Sequence, residues 1–176
     1  GLKQNGEART ALRQAADLMP ADGVTQLLLG DLAANERDYN GALGYYKNAM
    51  ELMPQNADIF VKSAQMSMQL GEYADAQELL KKVEKQFYDN PAFLKVLGSA
   101  EYRLGDTVKA QRDFNRFCEN GGRDAEVFTL LGDIHQNRNQ NAKALEFYEK
   151  AQLMEPSNGT IREKIMAVKV KADLEG

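Results

Sequence analysis

The fold of this 176-residue chain is decided by residues 29–54, which read LGDLAANERDYNGALGYYKNAMELMP. Apolar side chains recur at helical spacing over residues 24–36 and again over residues 40–53. Pro54 ends the second pattern, because proline lacks the amide hydrogen that would continue a helix. The stretch therefore predicts two helices joined by a short turn.

The same pattern recurs along the chain with a period of 34 residues and no insertion or deletion. An alanine at this spacing is followed four residues later by a large apolar or aromatic side chain, in the pairs Ala8–Leu12, Ala42–Tyr46, Ala76–Leu80, Ala110–Phe114 and Ala144–Tyr148. Gly30, Gly98 and Gly132 occupy another position of the same period, and Ala64 occupies it in the one remaining repeat. A single helical pair cannot bury its apolar faces, so successive pairs must stack.

The repeat resembles the tetratricopeptide repeat (TPR), in which Leu-Gly is followed by an alanine, an aromatic residue four places later, and a proline. The matching residues are Leu29-Gly30, Ala42, Tyr46 and Pro54; Leu97-Gly98, Ala110 and Phe114; and Leu131-Gly132, Ala144, Tyr148 and Pro156. The second unit departs from the pattern, with Ser63-Ala64 for Leu-Gly and Tyr88 for the proline. The resemblance implies an all-α fold, a right-handed solenoid of antiparallel helix pairs.

This register divides the chain into four complete units, which are 23–56, 57–90, 91–124 and 125–158. Residues 1–22 carry only the second helix of an incomplete unit. They are either the start of a fragment cut from a longer array or a natural start that packs on the next unit. Residues 159–176 predict a C-terminal capping helix, with Ile161, Ile165, Val168 and Ala172 on one stripe and with Arg162 and Lys169 replacing the family's aromatics.

Composition excludes several classes of function. There are 22 Lys and Arg against 26 Asp and Glu, a net charge of -4, which disfavours a nucleic-acid partner. One Cys and one His provide no intrachain disulfide, no Cys-rich site and no two-His metal site. No apolar run approaches the roughly 20 residues of a membrane span, so direct membrane insertion is not expected. The sequence specifies no cofactor and no cellular location.

We find no combination of residues that predicts an enzyme. His135 occupies the inward place of the family's second aromatic residue, where a packed or hydrogen-bonded role is the ordinary one. Cys118 follows an apolar residue on a second helix, and a small buried side chain is its default role. The expectation is therefore a non-enzymatic protein.

The resemblance implies that the first helix of each unit lines a concave groove in which a protein or peptide segment binds. In the middle units the candidate groove residues are Val61, Lys62, Gln65, Met68, Lys95, Val96, Ser99, Tyr102 and Arg103. Apolar and aromatic residues with polar surroundings are favoured at interfaces, and we expect the three cations to meet acidic groups of the partner.

The predicted function is a scaffold or adaptor that binds a partner segment in this groove. The alternative is a self-assembling structural module, or a fragment of a longer TPR array in a multiprotein assembly. Self-association would then use the incomplete N-terminal unit.

Overall fold

The computed structural model describes residues 22–175 continuously, together with Thr10, Gln14 and Leu18, and side chains after residue 171 are not described. Within residues 22–175 the chain forms helices and turns and no strand. The helices are α1 (Gly23–Asn35), α2 (Tyr39–Leu52), α3 (Ala57–Gln69), α4 (Tyr73–Phe87), α5 (Pro91–Arg103), α6 (Thr107–Glu119), α7 (Ala125–Gln136), α8 (Asn141–Met154) and α9 (Gly159–Glu175). The helix predicted for residues 1–22, with Leu12, lies almost wholly outside the described residues.

Consecutive helices pack against one another in the order of the chain, which confirms the all-α helical-repeat solenoid. The turn inside each pair contains one residue with positive φ, and these residues are also 34 apart: Arg37, Gly71, Gly105 and Asn139. Glycine adopts this left-handed backbone without steric cost. The repeat therefore fixes the turns as well as the helices.

Helix starts follow the same period. Asp22, Asn56, Asn90, Asp124 and Asn158 each accept a hydrogen bond from a backbone amide in the first turn of the following helix. A side chain in this position pairs an amide that has no partner inside the helix. These short polar residues define where each first helix begins.

The two helices of a pair approach closely where the glycines face aromatic rings. A Cβ atom at Gly30 would lie 2.4 Å from Cε1 of Tyr46, and one at Gly132 would lie 2.3 Å from Cε1 of Tyr148. In the second unit, Ala64 is buried in the same core cluster as Leu80. Ala64 is larger than the glycine of the other units, and Leu80 is smaller than their aromatic residue. The sizes of the two facing side chains therefore compensate for each other.

The core runs along the stack between the helices. The described part of α9 covers its C-terminal end with Ile161, Ile165 and Val168, which are buried with α8 residues in one cluster. Arg162 and Lys169 are exposed on α9. Its outward surface is not entirely polar, however, because Met166 and Val170 are exposed as well.

Candidate partner-binding groove

The first helices of the second, third and fourth units form a hollow of about 540 Å³. Four of the nine predicted groove residues line it, namely Met68, Ser99, Tyr102 and Arg103. Its other lining residues are Gln69, Tyr73, Glu126, Leu130 and Asp133. The hollow brings α3, α5 and α7 to one concave surface, and Tyr73 joins it from the start of α4.

The predicted apolar residues are less available than the sequence suggested. Val61 and Val96 are each only 5% exposed, and Ser99 is buried as well. Gln65 is exposed but does not line the hollow. Among the predicted residues, the accessible apolar surface at this site therefore comes from the partly buried Met68 and Tyr102 rather than from the valines.

Two of the three predicted groove cations are already ion-paired within the chain. Nζ of Lys62 lies 2.8 Å from Asp31 and 3.1 Å from Asp58. Nζ of Lys95 lies 2.7 Å from Asp124 and 3.2 Å from Glu126. Partial burial opposes the charge of both lysines, but these carboxylates raise the pKa of each above its ordinary value.

A motif of three residues accounts for part of this pairing. The Tyr46 hydroxyl donates to Asp31 at 2.8 Å, and the same carboxylate binds Lys62 of the next unit. Tyr148, Asp133 and Lys164 repeat the arrangement three units later, with Nζ of Lys164 2.6 Å from the Asp133 carboxylate. An Asp followed by a Lys 31 residues later was the sequence signal for this contact.

Arg103 differs from the two lysines. Its guanidinium lies over the Tyr73 ring, 5.7 Å from the centroid, and it makes no ion pair with any residue whose side chain the structure describes. Beside it, burial and the nearby Asp133 raise the pKa of Tyr102, so its hydroxyl stays neutral. The groove thus has an aromatic surface next to a guanidinium group that is not ion-paired within the described side chains.

A buried charged cluster on the opposite side of α5 was not predicted. Glu101 is fully buried, its Oε1 lies 3.1 Å from Nζ of Lys81, and its Oε2 has no hydrogen-bond partner. Burial and the charge of Asp113 raise the pKa of Glu101 to about 6. The sequence signal for this cluster was Glu101 itself. It occupies the same repeat position as Ala33, which faces the interior of the stack.

His135 is buried and packed, as expected for it. Its Nδ1 lies 2.6 Å from the side-chain oxygen of Gln140, and its ring stacks on Phe147.

Among the described residues, no group of three or more His, Cys, Asp and Glu side chains could hold a metal ion. None of the helices traced through residues 22–175 combines the length and apolar character needed to cross a bilayer.

The helical pairs and their period define a helical-repeat protein with a concave groove. Models of the tetratricopeptide repeat match residues 33–100 and 125–158, which together make up more than half of the chain. The chain belongs to the tetratricopeptide-repeat family. Proteins of this family generally bind protein or peptide partners, which indicates an interaction scaffold.

Known proteins are similar to parts of the chain. Cellulose synthase operon protein C of Escherichia coli (strain K12) is 31% identical over 118 residues, or 65% of this chain, and the chain spans only 10% of that protein. DnaJ homolog subfamily C member 7 of Homo sapiens is 28% identical over 118 residues, which cover 65% of this chain and 22% of that protein.

Solved structures share the fold over most of the chain. MamA aligns with a TM-score of 0.76 and 24% identity, over 86% of this chain and 83% of that chain. YrrB, a TPR protein with an unusual peptide-binding site, aligns with a TM-score of 0.75 and 18% identity, over 96% of this chain and 85% of that chain. These similarities show the architecture.

Proposed function

We propose that the chain is a non-enzymatic scaffold that binds an extended segment of a partner protein across α3, α5 and α7. The observation that carries this proposal is the hollow lined by Met68, Tyr102 and Arg103. Its volume of about 540 Å³ is large enough for a bulky side chain. Tyrosine and arginine are the residue types that most often dominate the energy of an interface.

The charged residues of the groove indicate which side chains the bound segment carries. Because Lys62 and Lys95 each lie between two carboxylates, neither attracts a further acidic group strongly. Arg103 has no such partner among the described residues, so the segment carries one apolar or aromatic side chain for the hollow and an acidic group near Arg103. Of the three contacts with acidic groups that the sequence led us to expect, the proposal keeps only the one with Arg103.

Selection from a display library of random peptides on the immobilised chain tests the proposal without a known partner. The selected peptides should combine an apolar side chain with a nearby Asp or Glu. Tyr102→Ala and Arg103→Ala should each weaken their binding by at least about fivefold, as measured by calorimetry, because each removes more than about 1 kcal/mol of contact energy.

The control is Lys85→Glu, an exposed charge reversal on α4. Lys81 is unsuitable as an outer-face control, because its ammonium pairs with the buried Glu101. If the Lys85 variant loses binding while the Tyr102 and Arg103 variants retain it, the partner uses the outer face and the proposal is wrong.

A further inference from the structure

A second hollow, of about 620 Å³, lies on the outer side of the stack between α6 and α8. Its floor is aromatic, with the Phe128 and Phe147 rings stacked 6.4 Å apart. The Phe147 ring also stacks on the His135 ring at 5.4 Å, and Nζ of Lys150 lies 5.0 Å from its centroid. His135 is buried and hydrogen bonded, so it supports the Phe147 ring from within the stack.

The hollow belongs to this junction and is not a general property of the stack. Four of its lining residues are Asn115, Cys118, Phe147 and Lys150. One unit earlier, 34 residues back, the same places hold Lys81, Glu84, Asp113 and Arg116. Those four side chains are joined by ion pairs of 3.2 to 3.8 Å. Replacement of this network by an amide, a thiol and a phenyl ring leaves an apolar cavity.

An apolar side chain projects at the border of the hollow. Leu153 lines the cavity and is 82% exposed, and the neighbouring Met154 is also exposed. The surface therefore carries a projecting side chain and a cavity side by side. A contact with two-fold symmetry requires both features on the same surface, because each copy supplies the same residues.

The charges at the border are also self-complementary. Arg123 and Glu119 both line the hollow, and neither makes an ion pair within the described side chains. Arg123 instead donates to the backbone carbonyls of Cys118 and Gly122. Lys150 is already paired with Glu146 at 2.6 Å. One positive and one negative charge thus remain available on one patch, and a second copy offers the opposite charge to each.

We propose that this outer patch, formed by Glu119, Arg123, Phe147, Leu153 and Met154, is a two-fold interface between two copies of the chain. Leu153 of each copy enters the hollow of the other, and Arg123 of each approaches Glu119 of the other. A contact of one patch is small, so association is weak and its dissociation constant lies in the micromolar range. This interface is separate from the groove of α3, α5 and α7.

Sedimentation equilibrium of the whole chain, from micromolar to submillimolar concentration, tests the interface. The wild type should change from monomer to dimer in this range, and Leu153→Glu should raise the dissociation constant at least about tenfold. Leu153 is exposed, so the variant should keep the helical content and melting temperature of the wild type. The matched control is Val108→Glu, an exposed apolar residue of α6 that does not line the hollow and should leave association unchanged.

A charge exchange tests the two-fold pairing itself. Glu119→Arg and Arg123→Glu should each weaken the dimer, and the double variant should recover most of the loss, since the opposite charges then meet again in reversed order. A wild type that stays monomeric overturns the proposal, even if the patch then binds another protein. Unchanged association of Leu153→Glu also overturns it and assigns the dimer to another surface, such as residues 1–22. A double variant no better than the single variants disproves the pairing.

Discussion

At the residue scale, contacts between glycines and aromatic rings set the spacing of three of the four helical pairs. Gly132→Ala would bring a methyl group 2.3 Å from the fully buried Tyr148 ring, whose hydroxyl is hydrogen bonded to Asp133. We expect a loss of about 1–3 kcal/mol in the free energy of unfolding, despite the better helix propensity of alanine.

Gly44→Ala is the matched control for that substitution. Gly44 lies inside α2, is exposed, and has open space where its Cβ would be. Alanine should therefore stabilise the chain there by up to about 1 kcal/mol. Denaturant titration of both variants measures the contrast, and equal effects would show that Tyr148 moves aside freely.

Glu101 should make stability depend on pH. Its folded pKa of about 6 lies above the ordinary 4.5, so the folded chain keeps a proton that the unfolded chain releases. This contribution is complete below pH 4.5 and is lost as the pH rises through about 6. The stability of the wild type relative to Glu101→Gln should therefore fall by about 2 kcal/mol between pH 4 and pH 7. Unfolding titrations at both pH values measure this, and a constant difference would contradict it.

Individual residues of the groove were only partly predictable. The register placed Met68, Tyr102 and Arg103 on one surface, and the structure brings all three to one hollow. The ion pairs of Lys62 and Lys95 were missed, because the register does not show how two long side chains extend between neighbouring units, although the 31-residue spacing of Asp31 and Lys62 was a signal for one of them. The pairing of Glu101 with Lys81 was missed for the same reason.

At the element scale, short polar residues cap the start of most helices, but not of α4 and α8. The second helices α2 and α6 begin after Asp38 and Asp106, whose side chains accept backbone hydrogen bonds. Glu72 takes the equivalent place before α4 and makes no such bond. Glu72→Asp should supply it and stabilise the chain by about 1 kcal/mol.

Thermal unfolding of Glu72→Asp, compared with Glu72→Gln, checks this prediction. Glutamine is as long as glutamate and should give no gain, so the comparison separates the reach of the side chain from its charge. A similar gain in both variants would show that the hydrogen bond is not the cause.

The helix boundaries themselves were largely predictable, because proline, polar caps and the apolar period agree. The positive φ of Arg37 was not predictable, because no glycine marks that position.

At the scale of the whole molecule, each unit contacts only its neighbours, so the loss of one end should act locally. Removal of residues 159–176 would uncover the part of the core that α9 closes with Ile161, Ile165 and Val168. Hydrogen exchange should then accelerate in α7 and α8 and stay slow in α3 and α4. Uniform acceleration along the chain would mean that the stack unfolds as one cooperative body.

The architecture of the whole chain was the most predictable level, because every unit contributes to the same period. The chemistry of the surfaces between units was less predictable. The same register positions hold ion pairs at the junction of α4 with α6 and an apolar hollow at the junction of α6 with α8. A period predicts which residues share a place, whereas the chemistry of that place depends on the particular set of side chains.

The position of α5 has a consequence for the timescale on which the groove can change. Leu94 belongs to one core cluster, whereas Phe93, Val96 and Leu97 belong to another, so α5 is held from two sides. Tyr102 and Arg103 lie at the end of this doubly held helix. Opening it requires two clusters to loosen together, so the amides of α5 should be among the slowest to exchange. Rearrangement of these two residues is therefore as slow as the opening of α5, and a segment that binds as proposed would meet them already in position.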